Sequence, residues 1–161
     1  MAISVKSLSV TRGGISLLQG LDIEVKNGQA GILQGPNGIG KTTLLRTLAG
    51  LQPIESGRIE GSLENICYSG HLDGVKPSLT VQENLEFWAN VFGSSSIIEV
   101  AEKFMLVDLL NIRVGTLSAG QKRRVGLARL GLTGRPVWLL DEPTVSLDET
   151  SVKIFGNIIK D

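Results

Sequence analysis

The stretch Gly35-Pro36-Asn37-Gly38-Ile39-Gly40-Lys41-Thr42-Thr43 constrains this chain more than any other. It fits the spacing G-x-x-x-x-G-K-[ST], and its setting fits as well. Ala30–Leu33 is a short apolar run that reads as a buried strand, and residues 41–50 read as a helix closed by Gly50. Each element has a physical reason. Glycines let backbone N–H groups turn inward with no Cβ in the way. A helix opening near Lys41 aims its N-terminal N–H groups at the same point. Lys41 adds a full positive charge, and the Thr42 hydroxyl is a hard oxygen of the kind that ligates Mg2+. A plain glycine turn followed by a basic residue would not need a strand before it and a helix after it. The stretch is built to wrap phosphates.

The 161 residues suit one domain, or one domain carrying an insertion. Sixteen basic residues balance sixteen acidic ones, which argues against a general polyanion-binding surface and hence against nucleic acid as a partner. The longest unbroken apolar runs are four residues, Phe104–Val107 and Val137–Leu140. A membrane span takes about 20, so the chain is expected not to cross a bilayer. Its first residues lack the pattern of a signal or transit peptide. Cys67, the single cysteine, reads as a small buried apolar residue on a strand. These features suggest a soluble protein facing the cytosol.

Along the chain, Ile3, Val5, Leu8 and Val10 and then Leu21, Ile23 and Val25 show strand alternation about a turn at Arg12-Gly13-Gly14. Asn27-Gly28 suggests a further hairpin turn into Ala30–Leu33. Residues 52–79 read as loop, with one strand near Asn65–Tyr68. Then the period changes. Thr80/Glu83, Ser96/Glu99 and Ser118/Gln121 form three capping boxes. Behind the first, Val81, Leu85, Trp88, Ala89 and Phe92 share a helical face; behind the second, Ile97, Val100, Ala101, Phe104 and Val107 do. The third opens a helix to about residue 133. Val137–Leu140 is again a strand, and the chain from Ser146 reads as helix. The organisation is one α/β domain: 1–79 and 134–161 a sheet-containing core, and 80–133 an inserted helical subdomain.

Val137–Leu140 delivers two carboxylates, Asp141 and Glu142, to its C-terminal end, where ligands sit in open parallel sheets. Asp141 could hold Mg2+, directly or through water, and Glu142 could polarise an attacking water. Ser118-Ala119-Gly120-Gln121 lies before this strand, with Gln121 twenty positions ahead of Asp141, and Lys122-Arg123-Arg124 follows it. After the carboxylates come Pro143-Thr144 and Ser146-Leu147-Asp148. This ordered set closely resembles the ATP-binding cassette (ABC) ATPases: the phosphate loop, an LSGGQ-type signature, the Walker B strand with its catalytic glutamate, and the D-loop. The resemblance covers nearly the whole chain. It implies a P-loop NTPase core of the ABC type with an N-terminal antiparallel β portion. It also implies ATP and Mg2+, with Thr42 and Asp141 toward the metal and Glu142 as the base.

Family members work as head-to-tail dimers with a second ATP-binding subunit. By that resemblance Ser118, Ala119, Gly120, Gln121 and Asp148 would face nucleotide held on the partner's phosphate loop. The helical block, Leu79–Phe92 above all, is where the family docks integral membrane subunits. The implied location is peripheral, on the cytoplasmic face of the inner or plasma membrane, or the matrix side of a mitochondrial inner membrane.

The departures from the family pattern are informative. Arg12 stands where an aromatic residue usually stacks on adenine; a guanidinium can stack on a ring too, or it can be a solvated turn residue. His71, in Tyr68-Ser69-Gly70-His71, aligns with the Q-loop glutamine, so it is either a residue near the γ-phosphate or a surface histidine. That Gly-His, the Ser118-Ala119-Gly120-Gln121 form of the signature and Asp141-Glu-Pro-Thr-Val-Ser-Leu-Asp148 resemble the ABC branch that exports haem-related cargo for cytochrome c maturation. The family's switch histidine follows the D-loop by one helix and one strand, about 17 residues before loops. Only residues 149–161 follow Asp148, and His71 is the sole histidine, so the domain is expected to be C-terminally incomplete. Three alternatives remain open: an exporter ATPase for other cargo, a soluble ABC ATPase acting on nucleic acid, and a nucleotide-binding module with little turnover.

Overall fold

A computed structural model describes residues 3–61, 63–70 and 73–160. The alternating N-terminal residues form β1 (Ile3–Arg12) and β2 (Ile15–Val25), joined at Gly13-Gly14 and paired antiparallel from Ile3↔Val25 to Arg12↔Ile15. Both turn glycines adopt positive φ, 59° and 79°, a conformation open to glycine at little cost. On its other edge β1 pairs antiparallel with β3 (Ser56–Glu60). No sequence signal announced β3, which is short, polar and half exposed. Gly57 makes it possible: a Cβ there would collide with the Ser7 carbonyl oxygen.

After β2 the chain runs to α1 (Lys41–Leu48). β4 (Ile66–Ser69) and β5 (Val137–Leu140) pair with each other. Ile3, Val5, Leu8, Val10, Leu44, Leu45, Leu48, Ile66 and Leu139 form one apolar cluster. Each such side chain contributes roughly 1.5–3 kcal/mol on burial. Cys67 is buried on β4 as expected.

One expectation fails in this half. Ala30–Leu33 is exposed and carries no ladder, and the turn at Asn27-Gly28 closes locally through the Gln29 N–H to the Lys26 carbonyl without opening a hairpin. An apolar run becomes a strand only where a neighbour supplies hydrogen bonds. Here β2 pairs with β1, and β4 with β5.

The described chain divides into two units, one through Tyr68 together with Arg135–Asp141, the other Ser69–Gly134 together with the residues from Glu142 onward. The second is helical: α2 (Val81–Phe92), α3 (Ile97–Lys103), α4 (Ala119–Leu132) and α5 (Glu149–Lys160). Val81, Leu85, Ala89, Val100, Ala101, Phe104, Val125 and Ala128 are buried. Two of the three capping boxes form in full. Thr80 accepts from the Glu83 N–H at 3.1 Å while Glu83 accepts from the Thr80 N–H at 2.7 Å. Ser118 and Gln121 exchange the same bonds at 3.2 and 2.9 Å.

The Ser96/Glu99 box does not form. Thr80 and Ser118 have the extended backbone a cap needs, ψ 168° and 162°, whereas Ser96 sits at ψ 36° with no side-chain cap bond. Glu99 pairs with Lys103 instead. α3 ends at Lys103, so Phe104 and Val107 lie beyond it: Phe104 is buried, but Val107 is 45% exposed in a 3-10 turn. No helix among the described residues is long and apolar enough to cross a membrane.

Candidate functional site: a phosphate loop, a buried aspartate and a capped signature helix

The loop 35–40 turns on glycines at positive φ: Gly35 at 153°, Gly38 at 85° and Gly40 at 109°. Gly40 is the N-cap of α1 and offers no side chain to the first amides of that helix. α2 and α4 spend a hydroxyl and a carboxyl or amide group on theirs. An uncapped helix start leaves N–H donors for an anion, at the positive end of the helix dipole. The first turn of α1 also holds no acidic residue that would repel one. Lys41 bends back, and its Nζ donates to the carbonyl oxygens of Gly35 at 2.6 Å and Pro36 at 3.0 Å. Its charge is thereby held over the loop. Thr42 is half-buried and Thr43 buried, and the Thr43 carbonyl accepts from Thr47 Oγ1 at 2.9 Å.

Asp141 belongs to the same unit. It ends β5 and is buried, while Leu139 of that strand shares the apolar cluster with α1. Tyr68 on β4 donates its hydroxyl to Asp141 Oδ2 at 3.4 Å. Burial first, and then the Asp141 charge, push the Tyr68 phenol above its ordinary range. Sequence reasoning placed Tyr68 on a strand but gave no sign of this bond. It depends on which strand lies beside β5.

The other candidate residues lie in the helical unit. Ser118, Ala119, Gly120 and Gln121 begin α4. A Cβ on Gly120 would come within 3.2 Å of the Ser146 carbonyl oxygen, so the 142–148 turn rides close over the helix start. Two residues of that turn hold left-handed backbone without being glycine, Glu142 at φ 49° and Ser146 at φ 68°. Each costs of order 1–3 kcal/mol and persists only where the surroundings enforce it. Ala119, Glu142 and Ser146, with Asp73 and Arg123, line a cleft of about 190 Å³.

Asp148 caps α5: its Oδ1 accepts from the Ser151 N–H at 2.7 Å. That backbone bond, then one with the Ser151 side chain, holds its carboxyl below the usual range. Arg12 is exposed at the end of β1, opposite Ile15. His71 lies outside the described residues. Sequence reasoning missed Arg123, treating it as one of three basic residues after the signature. It is buried and donates to four acceptors, Asp73 among them. Arginine is almost never buried unpaired, but which acidic residue it meets is not written in helical spacing.

Comparison with known proteins bears on the whole arrangement. Residues 18–145 match the ABC transporter family model. The chain is 58% identical to the cytochrome c biogenesis ATP-binding export protein CcmA of Ruegeria pomeroyi, over 99% of its own length and 78% of the relative's. It is 57% identical to the CcmA of Paracoccus denitrificans, over 98% of this chain and 75% of that one. Among solved structures, an ABC transporter ATP-binding protein of Pyrococcus furiosus superposes with a TM-score of 0.87 at 27% identity, over 98% of this chain and 84% of that one. A phosphate loop, a buried aspartate ending a strand, a capped signature helix and these likenesses together place the chain in the ABC transporter family, beside the CcmA proteins.

Proposed function

We propose that this chain is the ATP-hydrolysing subunit of a transporter that exports haem-related cargo for cytochrome c biogenesis. The observation that carries the ATP-binding part is the start of α1: a glycine N-cap, open amides and Lys41 held over the loop. The cargo rests on the likeness to CcmA proteins.

Gly35–Thr43 wraps the phosphates, with Lys41 moving from the loop carbonyls to phosphate oxygens. Thr42 and Asp141 suit Mg2+: a hydroxyl and one carboxylate are hard oxygens, and this ion takes few protein ligands beside phosphate and water. Held by these two residues, the ion would supply charge neutralisation for phosphoryl transfer. Tyr68 keeps the Asp141 carboxylate oriented. Glu142 accepts a proton from the attacking water. By the family resemblance His71 would serve at the γ-phosphate, and Arg12 would stack on adenine.

The core, 1–79 and 134–161, pairs head-to-tail with a second ATP-binding subunit. The α4 starts at Ser118, Ala119, Gly120 and Gln121 then cap nucleotide held by the partner, with Asp148 at the same interface. The helical subdomain, 80–133, docks a membrane subunit from the cytoplasmic face of the inner membrane, or the matrix side in an organelle.

Two variants test the chemistry. Lys41→Ala should abolish ATP binding in a nucleotide-binding assay, and unchanged affinity would overturn the phosphate-loop assignment. Glu142→Gln should bind ATP normally and turn over roughly 10²–10⁴-fold more slowly, the usual contribution of a general base. For the cargo, deleting the gene should abolish cytochrome c maturation. Normal cytochromes with another transport activity lost would point to a different substrate.

A further inference from the structure

Arg123 is a buried charge held against the turn that carries Glu142. Its Nε donates to the Pro143 carbonyl at 3.2 Å and its Nη2 to the Glu142 carbonyl at 3.2 Å. Its Nη1 donates to the Gly70 carbonyl at 3.1 Å and to Asp73 Oδ1 at 2.8 Å. The Arg123 side chain is 5% exposed and that of Asp73 25%. Four of the five N–H bonds of a planar, rigid guanidinium are thus committed, two of them to consecutive carbonyls of the turn that carries Glu142. Glu142 adopts φ 49°, which a glutamate does not hold unaided. The Val145 N–H also donates to the Glu142 carbonyl, at 3.2 Å. The fork and the turn therefore meet on one oxygen. Gly126, one helical turn along α4 from Arg123, is what lets Asp73 reach the guanidinium: a Cβ at 126 would lie 2.6 Å from Asp73 Cβ.

We infer that Arg123 is a positioning residue for hydrolysis: its fork holds Glu142 in the left-handed backbone that aims the carboxylate, and ties that pose to Gly70 and Asp73. The inference rests on Glu142 being the general base. A lysine keeps the charge beside Asp73, but its compact ammonium lacks the planar fork that spans all four acceptors.

The test is a double-mutant cycle on the full-length chain in the assembled transporter. Arg123→Lys should lower kcat about tenfold, part of what a general base supplies, with the KM for ATP within about twofold. In the Glu142→Gln background, followed by release of radiolabelled phosphate, it should cost nothing further. Hydrogen exchange at Val145 and its neighbours should quicken in Arg123→Lys. An equal loss in both backgrounds, an unchanged kcat, or a raised KM with kcat intact would overturn the inference. If Glu142→Gln alone leaves turnover normal, the base assignment itself has failed, and the cycle shows that separately. Arg123→Gln, which keeps one donating amide and drops the charge, is read in the same way should the lysine variant not fold.

Discussion

Gly126 lies inside α4, where alanine ordinarily stabilises a helix by about 1 kcal/mol. The tertiary structure reverses that sign. A Cβ there would lie 2.6 Å from Asp73 Cβ, 2.8 Å from its carbonyl oxygen and 2.9 Å from its Cα. Unstrained carbon contacts lie at about 3.5–4.0 Å, so the backbone at residue 73 must retreat by roughly 1 Å. Overpacking of this kind costs about 1–3 kcal/mol. The retreat also draws Asp73 from Arg123, 2.8 Å away. A hydrogen bond to a charged group is worth about 1.5–3 kcal/mol. Set against the propensity gain, Gly126→Ala should destabilise by about 1.5–5 kcal/mol. At about 2–4 °C per kcal/mol for a chain of this size, the melting temperature should fall by about 3–20 °C.

Two companion variants make the thermal-unfolding assay decisive. Gly131→Ala on the same helix would meet the Val100 side chain, 3.1 Å at closest, and a side chain can give way; the change should stay under about 1 kcal/mol. Gly156→Ala in α5 meets nothing within 4 Å and should stabilise by up to about 1 kcal/mol. A Gly126→Ala variant as stable as its parent would refute the close seating of Asp73 on α4.

The lone tyrosine, Tyr68, should ionise above its ordinary value of 10.0, because burial and Asp141 both disfavour the phenolate. With the folded value raised, the associated stability is full below 10 and lost as pH rises through it; a phenolate absorbance midpoint at or below 10 would contradict the pairing. Asp148 has the opposite sign: its carboxyl is depressed by the Ser151 bonds, so the cap is intact above the ordinary carboxylate range and lost as pH falls through the folded value. Asp148→Asn, which caps without a charge, should melt with less acid sensitivity than the parent, and an identical acid profile would count against the cap.

The failures of sequence reasoning share a cause. Ala30–Leu33 has the apolar character of a buried strand, yet pairing belongs to whichever strand lies alongside, and no described strand pairs with it. Ser96 and Glu99 have the right residue types and spacing, but a cap acts only from an extended backbone, and the short connection from α2 leaves Ser96 outside it. Ser56–Glu60 has no apolar alternation to betray it and forms a strand because β1 offers an open edge. Asp148 was legible as part of a motif, while its service to α5 appeared only with the fold.

What the sequence determined by itself was local: the glycine turn into α1, the boxes at Thr80 and Ser118, the β1–β2 hairpin, and an apolar strand ending in two carboxylates. These depend on residues a few positions apart, and their geometry follows from backbone sterics and the helical or strand period. The tertiary structure decided the rest: that Tyr68 reaches Asp141, that Arg123 grips the Glu142 turn, and that Gly126 must stay bare. Each joins residues distant in the chain, and such a contact exists only once packed neighbours have brought the two segments together and excluded water from between them.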